Sequence, residues 1–140
     1  MSVCLLCHPA RETVLWSDGQ CRVILVEDAA YPGFCRVIWQ AHVKEMTDLA
    51  LAQRHDLMSV VFAVEQALRE TLQPDKINLA SLGNQVPHLH WHVIPRLADD
   101  AHFPDPIWAV ARREGQARQV DVEQLTQALA RYLSAGWSSQ

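Results

Sequence analysis

The stretch that most constrains this chain is Val86-Pro87-His88-Leu89-His90-Trp91-His92-Val93-Ile94, in which histidine and apolar residues alternate without a break. Two is the side-chain period of an extended strand, so one face carries three imidazoles and the other carries Leu89, Trp91 and Val93. By that parity Trp91 belongs to the core. At roughly 3.3 Å per residue, His88 and His90 are about 7 Å apart and His88 and His92 about 13 Å apart. Two rings leaning together can share a metal held about 2.1 Å from nitrogen, but three along a regular strand do not easily converge on one ion. A row of contacts along an extended phosphate chain fits the spacing better.

The rest of the chain supplies the elements such a strand needs. Cys21 to Val26 and Phe34 to Trp39 are rich in Val and Ile and flank a Pro32-Gly33 turn, which predicts a hairpin. A short helix is expected at Glu45 to Leu49. A long one follows at Gln53 to Leu72, where Leu57, Val60, Val61, Val64, Leu68 and Leu72 recur every three or four residues until Pro74. Lys76 to Leu82 and Leu89 to Pro95 form a second strand pair, residues 98–108 read as irregular, and Val122 to Leu133 reads as a final amphipathic helix. Hairpin, helix, hairpin, helix predicts an α+β domain on an antiparallel sheet.

At 140 residues with 49% hydrophobic and 20% charged, the chain has room for one domain, expected over 1–136 with a short tail at 137–140. A net charge of −4 offers no excess positive field for a long polyanion, so nucleic acid is not an expected partner. No window approaches the roughly 20 apolar residues of a membrane span. The opening residues lack a basic leader and an apolar stretch of signal length, which predicts a cytoplasmic location. In a reducing compartment Cys4, Cys7, Cys21 and Cys35 read as buried apolar residues or metal ligands, not disulfides.

Asn78, Gly83, Asn84 and Gln85 provide amide donors and a flexible backbone ahead of the histidines, suited to phosphoryl oxygens without a large positive field. An ordinary hairpin turn is the competing interpretation. Neither Gly-x-x-x-x-Gly-Lys nor Gly-x-Gly-x-x-Gly occurs, so phosphate must be held by another device.

Residues 86–94 resemble the signature of the histidine triad (HIT) family, His-φ-His-φ-His-φ-φ with φ apolar, at every position. The Val23 to Trp39 hairpin, His42, the long helix and the strand pair also follow in the family's order. The resemblance implies a HIT-like α+β fold with a five-stranded antiparallel sheet, a long helix and a C-terminal helix, usually as a homodimer. It implies hydrolysis or transfer at the α-phosphate of a small nucleotide. His90 matches the nucleophile that forms a nucleotidyl-histidine, His88 the residue whose main-chain carbonyl orients it, and His92 the contact near the leaving group. A third histidine, where the uridylyltransferase branch has Gln, favours hydrolase over transferase. Asp28 matches the acidic residue that holds ribose hydroxyls, with a turn-forming Asp as the alternative. Asn78, Asn84 and Gln85 fall at or near the phosphate loop, although Gln85 stands where relatives often have Ser or Thr. Trp108 reads as either a cap on the pocket or plain packing.

Cys4-Leu5-Leu6-Cys7 has zinc-knuckle spacing but is a single pair, so a tetrahedral site needs two more ligands. Similarity to zinc-binding members of the family implies His42 and His88, with His8 as an alternative and structural Zn2+ as the ion. Metal-free thiols or a redox pair are the competing readings. The expected function is a nucleotide hydrolase of the phosphoramidate or dinucleoside polyphosphate type. A non-catalytic nucleotide-sensing module and a hydrolase with a catalytic zinc on His88 and His90 are the alternatives.

Overall fold

In a computed structural model of the chain, residues 3–135 are described; the tail expected at 137–140 lies outside them. Five strands, β1 (Thr13–Ser17), β2 (Cys21–Leu25), β3 (Cys35–Trp39), β4 (Lys76–Ala80) and β5 (His90–Arg96), form one sheet in the order β1-β2-β3-β5-β4. Every neighbouring pair is antiparallel. The helices are α1 (Leu51–Leu72) and α2 (Val122–Ala135), with a 3-10 turn at Met46–Asp48. This is the expected α+β arrangement.

The sheet sorts its residues by parity. Val23, Val37, Trp39 and Val93 point to one side and bury against Leu57, Val60, Val61, Val64 and Leu68 of α1 and Leu125, Leu129 and Leu133 of α2. Trp91 joins this side and donates its indole N–H to Met46 Sδ at 3.4 Å. Cys21 and Cys35 are buried free thiols on the same side, pushed up to about 12 chiefly by burial, which keeps them protonated.

β1 escaped the reading of the residues. Val14, Leu15 and Trp16 are consecutive apolar residues, and the β1–β2 register shifts between Val14 and Trp16, so the bulge erases a period-two signal. The long helix starts at Leu51, two residues before the expected Gln53, because the Gln53 side chain reaches back to accept the Ala50 N–H at 2.8 Å. It stops at Gln73, which turns left-handed at φ 50° ahead of Pro74.

The opposite sheet face carries Arg22 and Ile24 on β2, Arg36 and Ile38 on β3, and His90, His92, Ile94 and Arg96 on β5. No helix covers it. Leu6 of the N-terminal segment packs on Ile24 and Ile38, while Tyr31, Phe34 and Ile107 pack around Ile94. Between these two covers the face stays open.

Candidate functional site

The opening is a cavity of about 330 Å³ whose lining includes His90, His92, Arg36, Asn84, Gln85 and Trp108. The triad does not run along one regular strand as the alternation predicts. β5 begins only at His90, and His88 sits on a bend just ahead of it. That bend turns the His88 carbonyl onto His90 Nδ1 at 2.6 Å. With Nδ1–H donating to this carbonyl, His90 Nε2 carries the free lone pair. The His90 and His92 rings lie 4.9 Å apart, nearly perpendicular.

Burial holds His90 below the ordinary imidazole range, opposed by the His88 carbonyl and reinforced by Arg36. His92 is pushed down to about 4, first by burial and then by His90 and Arg36. Both rings are therefore neutral at pH 7, the state a nucleophilic imidazole requires. His92 Nδ1 is buried with no hydrogen-bond partner, and its ring packs edge-on against Trp108 at 5.2 Å.

Asn84 and Gln85 line the cavity, beside Gly83 at φ 70°. Asn78 does not line it: its side-chain oxygen accepts a 2.8 Å hydrogen bond from Arg96 Nη1. Asp28 also lies apart, bordering a separate surface depression and accepting the Ala30 N–H at 3.0 Å in a local turn. The turn-forming alternative describes that contact. Trp108 both lines the cavity and packs against His92, a position that serves the capping and the packing alternatives alike.

Arg36 is the cavity residue that sequence reasoning missed. It pairs directly with His92 across β3 and β5, and its Nε is buried without a partner. The available signal was a single cation inside the otherwise apolar run Phe34-Cys35-Arg36-Val37-Ile38-Trp39.

Beside the triad, Cys4, Cys7, His42 and His88 bring four ligand atoms within 4.8 Å of one another. Cys4 Sγ lies 3.3 Å and Cys7 Sγ 3.4 Å from His88 Nδ1, Cys7 Sγ is 3.3 Å from His42 Nδ1, and the two Nδ1 atoms are 3.2 Å apart. A tetrahedral zinc, roughly 2.3 Å from sulfur and 2.0–2.1 Å from nitrogen, has ligand–ligand edges of about 3.3–3.8 Å. The donor set fits that ion. His88 Nε2 donates to the Trp39 carbonyl at 2.6 Å, leaving Nδ1 unprotonated toward the cluster. His8 is not among the converging residues. Because both His88 nitrogens are occupied in this way, none remains for a metal shared with His90, which removes the geometric basis for a catalytic zinc on that pair.

With fold and site in view, the HIT domain family model matches residues 9–99. The chain belongs to the histidine triad family. A histidine triad protein of Bradyrhizobium japonicum is 32% identical and superposes with a TM-score of 0.71 over 86% of this chain and 90% of that one. A zinc-bound HIT protein of Mycobacterium smegmatis, 24% identical, superposes at 0.64 over 94% and 93% of the two chains. Among curated proteins, the asymmetrical bis(5'-nucleosyl)-tetraphosphatase of Schizosaccharomyces pombe is 30% identical over 90 residues, 60% of this chain and 50% of that one. The match thus spans half the length of that relative.

Proposed function

We propose that this HIT protein is a nucleotide hydrolase acting at an α-phosphate through a nucleotidyl-histidine on His90. The observation that carries the reading is the 2.6 Å hydrogen bond from His90 Nδ1 to the His88 carbonyl, which aims an unprotonated Nε2 from a neutral ring in an open cavity. The Nε2 lone pair forms the bond to the α-phosphorus, and the bond to the leaving group breaks with its electron pair on that group. The His88 carbonyl holds the Nδ1 proton of the cationic adduct. Water then attacks the phosphorus, its proton passes to solvent or the departing group, and the N–P electron pair returns to Nε2 as the nucleoside monophosphate leaves. His92, Asn84 and Gln85 are assigned to the phosphoryl oxygens.

The name of the Schizosaccharomyces pombe relative supports a dinucleoside polyphosphate substrate, with a phosphoramidate as the other member of the class. The bound zinc of the Mycobacterium smegmatis protein supports Zn2+ on Cys4, Cys7, His42 and His88. On these four residues of this chain the ion would cross-link the N-terminal segment to His88 and would supply no chemistry at phosphorus. No helix among the described residues is long and apolar enough to cross a membrane. A single domain over 1–136, a homodimer and a cytoplasmic location complete the proposal.

The test is to mix the protein with adenosine and guanosine phosphoramidates and polyphosphates, quench, and locate the adduct by peptide mass spectrometry. A nucleotidyl group on His90, and its loss together with turnover in His90→Ala, is expected. Wild-type turnover by the alanine variant refutes the mechanism, and tight binding with no adduct or turnover favours a sensing module.

A further inference from the structure

Three arginines project from the open sheet face, and two have their charge matched. Arg22 donates to both carboxylate oxygens of Glu12 at 2.8 and 2.9 Å, to Gln40 and to the Leu6 carbonyl. Arg96 donates to both oxygens of Asp100 at 2.7 and 2.9 Å and to Asn78. The guanidinium of Arg36, between them on the central strand, has no carboxylate and no hydrogen-bond partner among the described residues. Its guanidinium lies 5.6 Å from the Phe34 ring centroid and lines the triad cavity with its Nε buried.

A half-buried cation without a counter-ion raises the free energy of the empty fold, and an anion entering the cavity removes that penalty. Position says which anion. Arg36 stands directly across from His92, while His90 pairs with Ile38 one alternation further along the sheet, and the His90 and His92 rings lie 4.9 Å apart. The nucleophile therefore faces one phosphorus while Arg36 and His92 face the group beyond it.

We infer that Arg36 and His92 form a subsite for an anionic phosphate leaving group, which makes phosphoanhydrides, and not phosphoramidates, the preferred substrates of this chain. The inference rests on His90 as nucleophile at an α-phosphate. In the anhydride reaction the bond from α-phosphorus to the bridging oxygen breaks, its electron pair stays on the departing phosphate, and the fixed positive charge of Arg36 stabilises that anion without a proton transfer. An amine leaving group needs a proton instead. Arg36 does not supply one, and a neutral His92 is a weak donor.

The experiment compares kcat/KM on a dinucleoside tetraphosphate, a nucleoside triphosphate and adenosine phosphoramidate for the wild type, Arg36→Gln, Arg36→Lys and His90→Ala. Wild type should prefer one or both anhydrides. Arg36→Gln should lower the anhydride-to-phosphoramidate ratio by about 100-fold, with partial recovery in Arg36→Lys. The two anhydrides tell whether the departing phosphate must carry a second nucleoside. Folding is checked separately. Arg36→Met should melt no lower than the wild type without ligand, and pyrophosphate should raise the Tm of the wild type but not of this variant. Equal losses on anhydride and amidate, or a wild type that prefers the amidate, overturns the subsite while leaving His90 in place. Turnover that survives His90→Ala overturns the underlying mechanism.

Discussion

Replacing Asp100 by alanine would remove the anchor of the segment that carries Trp108 to the triad. Asp100 is 7% exposed and Arg96 2%, and the pair is bidentate at 2.7 and 2.9 Å. The same carboxylate accepts the backbone N–H groups of Leu97, His102 and Phe103 at 3.3, 2.9 and 2.8 Å, and the Tyr31 hydroxyl at 3.2 Å. Although burial opposes it, Arg96 and these N–H donors hold the Asp100 carboxyl well below the usual range. Stranding a buried cation costs about 3–5 kcal/mol. Each N–H left without an acceptor costs a further ~1 kcal/mol where water does not replace it. Asp100→Ala should then lose on the order of 5 kcal/mol, a large part of the roughly 5–15 kcal/mol total of a domain. Asp100→Asn, which retains an acceptor oxygen but no charge, should lose about half as much. Urea denaturation followed by circular dichroism measures both, and kcat/KM should fall as Trp108 leaves His92. Arg96→Met/Asp100→Leu should recover most of the stability, since an apolar pair strands no charge. A loss under about 1 kcal/mol in Asp100→Ala would refute the reasoning.

Zinc-supplemented protein should carry one Zn2+ per chain by elemental analysis, and Cys7→Ser should lose it and melt lower; an unchanged Tm in the zinc-free variant would contradict the cross-linking role. By NMR, His92 should titrate near pH 4. Because its folded value lies below the unfolded 6.5, the unfolded chain takes up the proton first; stability from neutral His92 is complete above pH 6.5 and declines as pH falls toward 4, and titration near 6.5 would refute its burial. Gly33→Ala should destabilise the fold by about 1–3 kcal/mol, because φ is +90° and the new Cβ would meet Leu72 Cδ1 at 2.5 Å; an unchanged Tm would refute that close approach.

Much of the fold was legible because its signals are local. The α1 stripe from Leu57 to Leu72, the Pro32-Gly33 turn and the alternation around Trp91 each record a period or a backbone preference within a few residues. β1 was not legible, since its bulge cancels the period within a five-residue strand. The signature itself identified His90 and His92 as neighbours on one face, and the Cys4/Cys7 spacing announced half of a group whose geometry could hold a metal.

What the tertiary structure alone decided are relations between residues distant in sequence. Cys4 and Cys7 meet His42 and His88 because the N-terminal segment folds across β2 and β3, a convergence that spacing does not encode. His88 leaves the strand because Trp39 and the cysteines claim its two nitrogens, and that departure points its carbonyl at His90. Asn78 is taken by Arg96 and Asp28 by its own turn. Arg22, Arg36 and Arg96 are equivalent as letters. Only the placement of Glu12 and Asp100 distinguishes them, because a charge is neutralised by what lies within a few ångströms of it, and these partners lie where the fold brings them.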